Sequence, residues 1–449
     1  MERPSRGEEL ELQVDRLAYG GAGVARSNGY VVFVRGTVPG DRVRARVTKA
    51  KRSFAEADSV ELIAPSPERV EPAVPHPGAP WQVLPYERQL QEKEHQVRDS
   101  LTRLGGFEDP PVEPIIPAAE RLRYRNKVEY SFGEADDGEL VLGFHRPGRF
   151  DLIEDVTEDV LASERVDEVR EAVKAWCRQE GLDAYDRREG AGMLRNLVVR
   201  EGRRTGELQA RLVTSPGDFR VDELAAAVPA ESVLWTRTAG VAETTQNGET
   251  DVVRGRAWLE EELLGLRFRI SPSAFFQTNT EMAERLYREA SGLAGLSGRE
   301  LVLDLYSGIG TIALAMALDA RAVYGVEVVE GAVADAIANA KRNGIDNASF
   351  FAGDVRTAMR PLLEESGHPD VVVVDPPRAG LSQKVVRRVL EARAERIVYV
   401  SCNPTTLAPN ARQMADAGYR LTAVRPVDMF PQTPHIESVA LLERTADAE

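Results

Sequence analysis

The sequence predicts a multidomain α/β chain, and three features predict it. From Leu301 onward, apolar strand-like runs (Leu301 to Tyr306, Ala322 to Glu327, Ser349 to Asp354, Val371 to Asp375, Arg396 to Val400) alternate with helical stretches, the pattern of a doubly wound parallel sheet. Residues 8 to 64 read as short alternating strands separated by glycine turns at Gly20-Gly21, Gly23 and Gly40, which suggests a small β-barrel. The length of 449 residues exceeds what one core normally supports, so two to four domains are expected.

Each element follows in order. Residues 1–70 hold the barrel, with strands at Leu10 to Leu17, Gly29 to Val34, Asp41 to Lys49 and Phe54 to Ile63. Residues 71–85 are rich in proline, from Pro72 to Pro85, and have linker composition rather than core composition. Residues 86–119 form a helical segment expected to pack on the C-terminal domain. Tyr86 to Leu104 has helical periodicity and stops at Gly105-Gly106. Residues 120–270 mix strands (Lys127 to Phe132, Leu140 to Phe144, Leu194 to Arg200, Glu207 to Val213) with helices (Ser163 to Glu180, Val221 to Ala227) as an α+β unit, and residues 271–449 carry the parallel sheet.

Composition narrows the class. The N-terminus is charged, without the apolar core of a signal peptide, and no apolar run is long enough to span a bilayer, so a soluble cytoplasmic protein is expected. Two cysteines cannot build a disulfide framework or a cysteine-only metal site, and no metal is expected. A net charge of -15 argues against nucleic acid at first. Local patterning argues the other way: Arg42, Arg44, Arg46, Lys49, Lys51 and Arg52 place six cations in eleven residues. Arg121, Arg123, Arg125 and Lys127 alternate as one face of a strand would. Either cluster alone is as readily a solvated surface.

The cofactor site is read at Asp304-Leu305-Tyr306-Ser307-Gly308-Ile309-Gly310, where glycines between a strand and a helix let the backbone approach a ligand. Glu327 ends the next strand, where a carboxylate can accept from both ribose hydroxyls, and Asp354 ends the third, in reach of an adenine amino group. The third glycine of the dinucleotide fingerprint and the Walker lysine are both missing, so phosphate-bearing cofactors fit less well than S-adenosyl-L-methionine.

The chemical site is read at two further strand ends. Asp375-Pro376-Pro377-Arg378 fixes a loop at the C-terminal edge of the sheet, and Ser401-Cys402-Asn403-Pro404 should lie on the same edge. Carbon 5 of uracil is a poor nucleophile until something adds to carbon 6, and a thiolate suits that step as both nucleophile and leaving group. Cys402 is the candidate nucleophile, and Glu437, in His435-Ile436-Glu437, the candidate base that removes the carbon 5 proton. A free thiol titrates at about 8.5, so the site has to stabilise the thiolate. Cys177 reads as core packing and His435 receives no role. Phe275-Phe276-Gln277 offers aromatic faces and an amide for a flipped base or adenine.

These motifs, with Phe275 to Asn279 and Thr433 to Val439, resemble in order those of the S-adenosylmethionine-dependent RNA 5-methyluridine methyltransferases. Residues 8 to 70, with Gly20-Gly21-Ala22-Gly23-Val24-Ala25 and Val38-Pro39-Gly40-Asp41, resemble the TRAM domain, an OB-like RNA-binding barrel. The resemblance implies a Rossmann-like class I methyltransferase sheet, Cys402 as nucleophile, Glu437 as proton acceptor, and Gln277, Tyr306, Gly308, Glu327 and Asp375 around the cofactor. It departs at one point. Many members hold an iron-sulfur cluster on four cysteines, but the corresponding stretch here reads Val74-Pro75-His76-Pro77-Gly78-Ala79-Pro80-Trp81, and none lies near Asp155-Val156. No cluster is expected.

The resulting expectation is a monomer that methylates a uridine in structured rRNA or tRNA, gripped by Arg125 and Lys127 and by Arg42, Arg44 and Arg46. Two readings compete with it. One is an amino-group methyltransferase using Asp375-Pro376-Pro377, and the other is a catalytically inactive RNA-binding protein.

Overall fold

The computed structural model describes residues 3–445 apart from 147, 148, 150, 241–244, 246 and 247. Strands β1 (Glu9–Leu17), β2 (Gly23–Ser27), β3 (Tyr30–Arg35), β4 (Arg42–Ala50) and β5 (Phe54–Ala64) close a barrel in the order β1-β2-β3-β5-β4. Alternation sets its inside: Val43, Ala45 and Val47 point inward, while Arg42, Arg44 and Arg46 point out. Sequence periodicity does not show β2, which is only five residues long and opens on a glycine. A Cβ on Gly23 would sit 2.2 Å from Thr37 Oγ1 and 2.7 Å from Val14 Cγ1, so strand packing excludes any larger residue.

The proline-rich stretch is not a loose linker. Trp81 and Leu84 are buried with Leu17 and Val38 of the barrel, and Ala79 packs with Tyr124, Val160 and Leu161. Proline removes a backbone donor without preventing apolar side chains from packing. His76 fills the adjoining space: its Nε2 lies 3.1 Å from Asp159, which also accepts from Tyr130 at 2.6 Å. The helix α1 (Tyr86–Arg103) then places Val97 and Leu101 in the core beneath the C-terminal sheet.

The middle region is a seven-stranded sheet in the order β12-β11-β10-β9-β6-β7-β8. Its elements are β6 (Lys127–Glu134), β7 (Leu140–His145), β8 (Ile153–Asp155), α2 (Glu164–Gln179), β9 (Leu194–Glu201), β10 (Leu208–Thr214), α3 (Val221–Ala227), β11 (Ser232–Arg237) and β12 (Glu249–Arg254). Helices α2 and α3 cover one face, and Cys177 is buried there as core. The hairpin β13 (Leu259–Leu263) and β14 (Leu266–Ile270) leaves that sheet. Leu263, Phe268 and Ile270 join the C-terminal core, so packing crosses the boundary expected at residue 270.

After α4 (Thr280–Ala294) comes the second large sheet: β15 (Leu301–Leu305), α5 (Thr311–Ala317), β16 (Ala322–Glu327), α6 (Glu330–Arg342), β17 (Ala348–Ala352), α7 (Val355–Ser366), β18 (Val371–Val374), α8 (Gln383–Glu391), β19 (Arg396–Ser401), α9 (Pro404–Asp416), β20 (Tyr419–Val427) and β21 (Glu437–Arg444). The order is β17-β16-β15-β18-β19-β21-β20. Its first five strands are parallel, with an apolar layer on either face, as a doubly wound sheet requires. Beyond the five strands read from the sequence, β21 is the reversed one: it runs antiparallel between β19 and β20. Among the described residues no helix is long and apolar enough to cross a membrane.

Candidate active site

Two loops carry the chemical groups, and hydrogen bonds tie them together. Asn403 caps α9 by accepting from the Thr405 N–H at 3.0 Å, and its Nδ2 donates to the carbonyl of Arg378 at 3.0 Å. The Cys402 loop is thereby locked to the Asp375–Arg378 loop. Strand register brings in the third group. Ser401 pairs with Ser438 across the β19–β21 ladder, so Cys402, one residue beyond, lies beside Glu437, one residue before.

The segment leading into Glu437 is held from outside the sheet. Lys93 lies 2.5 Å from Asp428 with both side chains fully buried, and it donates to the Phe430 carbonyl at 2.9 Å. Tyr86 donates to Asp428 at 2.8 Å, Gln89 to the Gln432 side chain at 2.7 Å, and Tyr124 to the Pro431 carbonyl at 3.0 Å. Burial presses Lys93 toward a lower pKa and Asp428 opposes that. Helix α1 is thus a clamp on the approach to the active site.

Electrostatics in the cleft are unusual. Burial, then the charge of Asp375, pushes the Glu437 carboxyl well above the usual carboxylate range, and Arg378 opposes the shift. Burial alone raises Asp375 to about 7. Cys402 is pushed up to about 11 by burial, Glu437 and Asp375, again against Arg378. Asp304, 1% exposed, is raised by burial and by Asp375. His435 is forced down to about 4 by burial and by Arg378, Arg125 and Lys93, which leaves it neutral and unsuited to serve as the base near neutral pH.

The cofactor residues separate into two groups. Glu327 accepts from Gly308 N at 3.1 Å and Val329 N at 2.9 Å, so it stands against the glycine turn. A Cβ on Gly308 would meet nothing within 4 Å, leaving open space above the turn, and Tyr306 sits beside it at a strained φ of 68°. Gln277 is 6% exposed, and its backbone carbonyl accepts from Asn126 at 2.9 Å. Asp354 has partners of its own: its carboxylate caps α7 and pairs with Arg356, which holds it at about 2.

The sequence-predicted RNA contacts also separate. Arg42 pairs with Glu11 at 3.1 Å, Arg44 with Glu61 at 2.6 Å and Arg46 with Glu9 at 2.9 Å, and Lys49 lies 3.3 Å from Glu56. Cross-strand acids therefore neutralise the apparent basic patch. Lys127 is bound to Glu129 at 2.5 Å. Arg125 lies at the cleft, close enough to bear on the titration of His435. Sequence reasoning quoted Arg378 and Asp304 within motifs without giving them a part, and it passed over Tyr287, whose hydroxyl accepts from Thr311 at 3.2 Å beside the same acids.

Known proteins match this arrangement. The profile of the tRNA (Uracil-5-)-methyltransferase family matches residues 248–445, and that of the TRAM domain matches residues 4–60. An uncharacterized RNA methyltransferase of Chlorobaculum tepidum is 40% identical over 93% of this chain and 92% of its own, and one of Porphyromonas gingivalis is 40% identical over 97% and 100%. This chain belongs to the RNA (uracil-5-)-methyltransferase family. The crystal structure of Pyrococcus abyssi tRNA (uracil-54, C5)-methyltransferase in complex with S-adenosyl-L-homocysteine aligns with a TM-score of 0.78 at 29% identity, over 96% of this chain and 100% of that one. As an enzyme of this family the protein combines a TRAM barrel with a methyltransferase sheet. Among the described residues no group of three or more His, Cys, Asp or Glu side chains is arranged to hold a metal ion. In the stretch where the resemblance implies cysteines in other members, His76 stands 3.1 Å from Asp159.

Proposed function

We propose that this methyltransferase modifies carbon 5 of a uridine in structured tRNA or rRNA, with S-adenosyl-L-methionine as methyl donor. The observation that carries the reading is the β19–β21 register, which sets one thiol and one buried carboxyl side by side at the sheet edge. The residues present suit a cationic donor. Asp304, Asp375 and Glu437 converge in a cleft where burial disfavours their charge, and a bound positive charge relieves that cost. Gln277, Tyr306, Gly308, Glu327 and Asp375 would hold the donor. Once bound, it supplies an electrophilic methyl group and departs as a neutral thioether.

The remaining work falls to the chain. Cys402, as thiolate, adds to carbon 6 of the uracil, and the electron pair of the carbon 5–carbon 6 bond moves toward the carbonyl at carbon 4. Carbon 5 becomes nucleophilic and takes the methyl. Glu437 then removes the carbon 5 proton, the double bond re-forms, and the thiolate leaves with the electron pair of its bond to carbon 6. Arg378, a cation acting on both groups, favours the thiolate and the carboxylate alike. Arg125 stands at the mouth for an RNA phosphate, and the exposed ring of Phe275 for a flipped base.

The test is to incubate the protein with bulk RNA lacking the modification and radiolabelled donor, digest the RNA and identify the labelled nucleoside. Label in 5-methyluridine that vanishes with Cys402→Ala is the expected result. Label in an amino-methylated base, surviving Cys402→Ala, overturns the reading.

A further inference from the structure

We infer that the N-terminal barrel supplies a positioning residue to the catalytic centre: Tyr19, in the turn between β1 and β2, holds the loop that carries Cys402. The assignment rests on Cys402 being the nucleophile. The Tyr19 hydroxyl donates to the Cys402 carbonyl at 3.1 Å, across 383 residues of sequence. Its phenol is half-buried in the same electrostatic neighbourhood as the Cys402 thiol, Arg378 and Glu437.

A second contact of the same turn reaches the other candidate group. A Cβ on Gly21 would lie 2.8 Å from Pro434 Cβ and 3.3 Å from Trp81 Nε1, and Gly21 has a φ of 87°, so the turn fits against this segment only as glycine. Pro434 lies three residues before Glu437. Trp81 in turn donates its backbone N–H to the Gln432 carbonyl at 2.9 Å. The turn itself is closed by Gly21 N to Ala18 O at 3.0 Å and Ala18 N to Ala22 O at 2.8 Å, which makes it a rigid tip.

One tip therefore braces both approaches to the reacting centre. Below the thiol, Asn403 and Ser401 fix the loop to α9 and β19: the Ser401 hydroxyl accepts from Asn403 N at 3.2 Å. Above it, Tyr19 supplies a donor from outside the C-terminal sheet. A thiolate that must add to carbon 6 and later leave along the same line gains from a backbone held on both sides. In this arrangement the barrel does more than grip RNA, because its tip is part of the wall around Cys402.

The chain provides its own control for testing this. Cys402 is half-buried, whereas Cys177 lies in the middle core at 0% exposure. Tyr19→Phe removes only the hydroxyl, and kcat is expected to fall about fivefold, the value of one neutral hydrogen bond, with KM for RNA and donor affinity unchanged. Tyr19→Ala removes the ring as well. Alkylation of Cys402 by iodoacetamide should then quicken severalfold while kcat falls further and Cys177 stays unlabelled. A thiol that is more accessible yet less effective is the signature of lost positioning.

A Tyr19→Phe enzyme with unchanged kcat, or with only KM for RNA raised, overturns the assignment and leaves the barrel an RNA grip. Labelling of Cys177 in Tyr19→Ala would signal general loosening, and the Tyr19→Phe kinetics then decide. Alkylation requires no turnover. Failure of the proposed reaction therefore shows separately, as a wild-type protein that makes no 5-methyluridine while Tyr19 still shields its thiol.

Discussion

The outer face of the barrel and the floor of the catalytic cleft are both crowded with charge, and they treat it in opposite ways. On β4, Arg42, Arg44 and Arg46 each have a carboxylate partner on a neighbouring strand. In the cleft, Asp304, Asp375 and Glu437 are buried together, and Arg378 opposes the upward shifts of Cys402 and Glu437. Paired surface ions contribute little beyond solubility. Buried acids held together cost stability, and a fold keeps them where a ligand or a reaction needs them.

The largest expected effect breaks the cleft side of this comparison outright. Cys402→Ala should reduce methylation by at least about 1000-fold, because no other thiol reaches the site. Glu437→Gln should stall after methyl transfer, leaving protein and RNA joined, so a slow-migrating band on a denaturing gel that dissolves on RNase treatment is the outcome to look for.

Next comes stability. Burial raises the folded pKa of Asp375 to about 7, above the ordinary carboxylate range, so the cost of its burial is absent below the unfolded value, grows as pH rises toward the folded one and is complete above it. Asp375→Asn should therefore stabilise the ligand-free protein by about 2 kcal/mol above neutral pH, and hardly at all in acid, while abolishing turnover. Chemical denaturation of both proteins at the two pH extremes measures this. An Asn variant less stable than wild type at alkaline pH would mean that the carboxylate is satisfied in the cleft.

Arg378→Gln should lower kcat about tenfold near neutral pH, one pK unit of lost support for the thiolate, with the rising limb of the pH–rate profile moved to higher pH. Binding of the cationic donor should pull the thiol down from about 11, and the uncharged thioether product should not, a difference readable from thiolate ultraviolet absorbance.

The smallest effect belongs to the barrel. Replacing Arg42, Arg44 and Arg46 together by alanine should change RNA affinity by no more than about twofold and leave its salt dependence almost intact, since their charge is already balanced. Arg125→Ala should weaken binding more than the triple variant. A steep loss from the β4 substitutions, measured by anisotropy across a salt series, would show that RNA displaces those acids.

Much of this was legible in the sequence, for identifiable reasons. The five parallel strands announce themselves because a strand buried on both faces is a continuous apolar run, as Val371–Val374 is. Cys402 and Glu437 stood out through the chemistry their residue types permit. What escaped depends on partners distant along the chain. Neither the pairing of Arg44 with Glu61 nor the burial of Trp81 against Leu17 is encoded in any local pattern. Asp354 was assigned by its position at a strand end, and its pairing with Arg356 two residues on was not read from the sequence. Tyr19 lies in a glycine-rich turn that reads as surface, and only folding sets it against Cys402.

The place of β21 between β19 and β20 has a consequence for how the protein is made. During synthesis β20 leaves the ribosome before β21, its neighbour in the sheet, and its other edge is bonded to the earlier stretch from Pro111 to Ile116. Until that later strand threads into the gap, β19 presents an unpaired edge and β20 is held from one side, while the Cys402 loop already exists without Glu437 beside it. A nascent chain paused between these strands would expose a bare apolar edge, prone to aggregation, and would lack the carboxyl proposed to remove the carbon 5 proton. Insertion of one strand thus both closes the gap in the sheet and brings the proposed base to the thiol, so that nucleophile and base come together only when the sheet is complete.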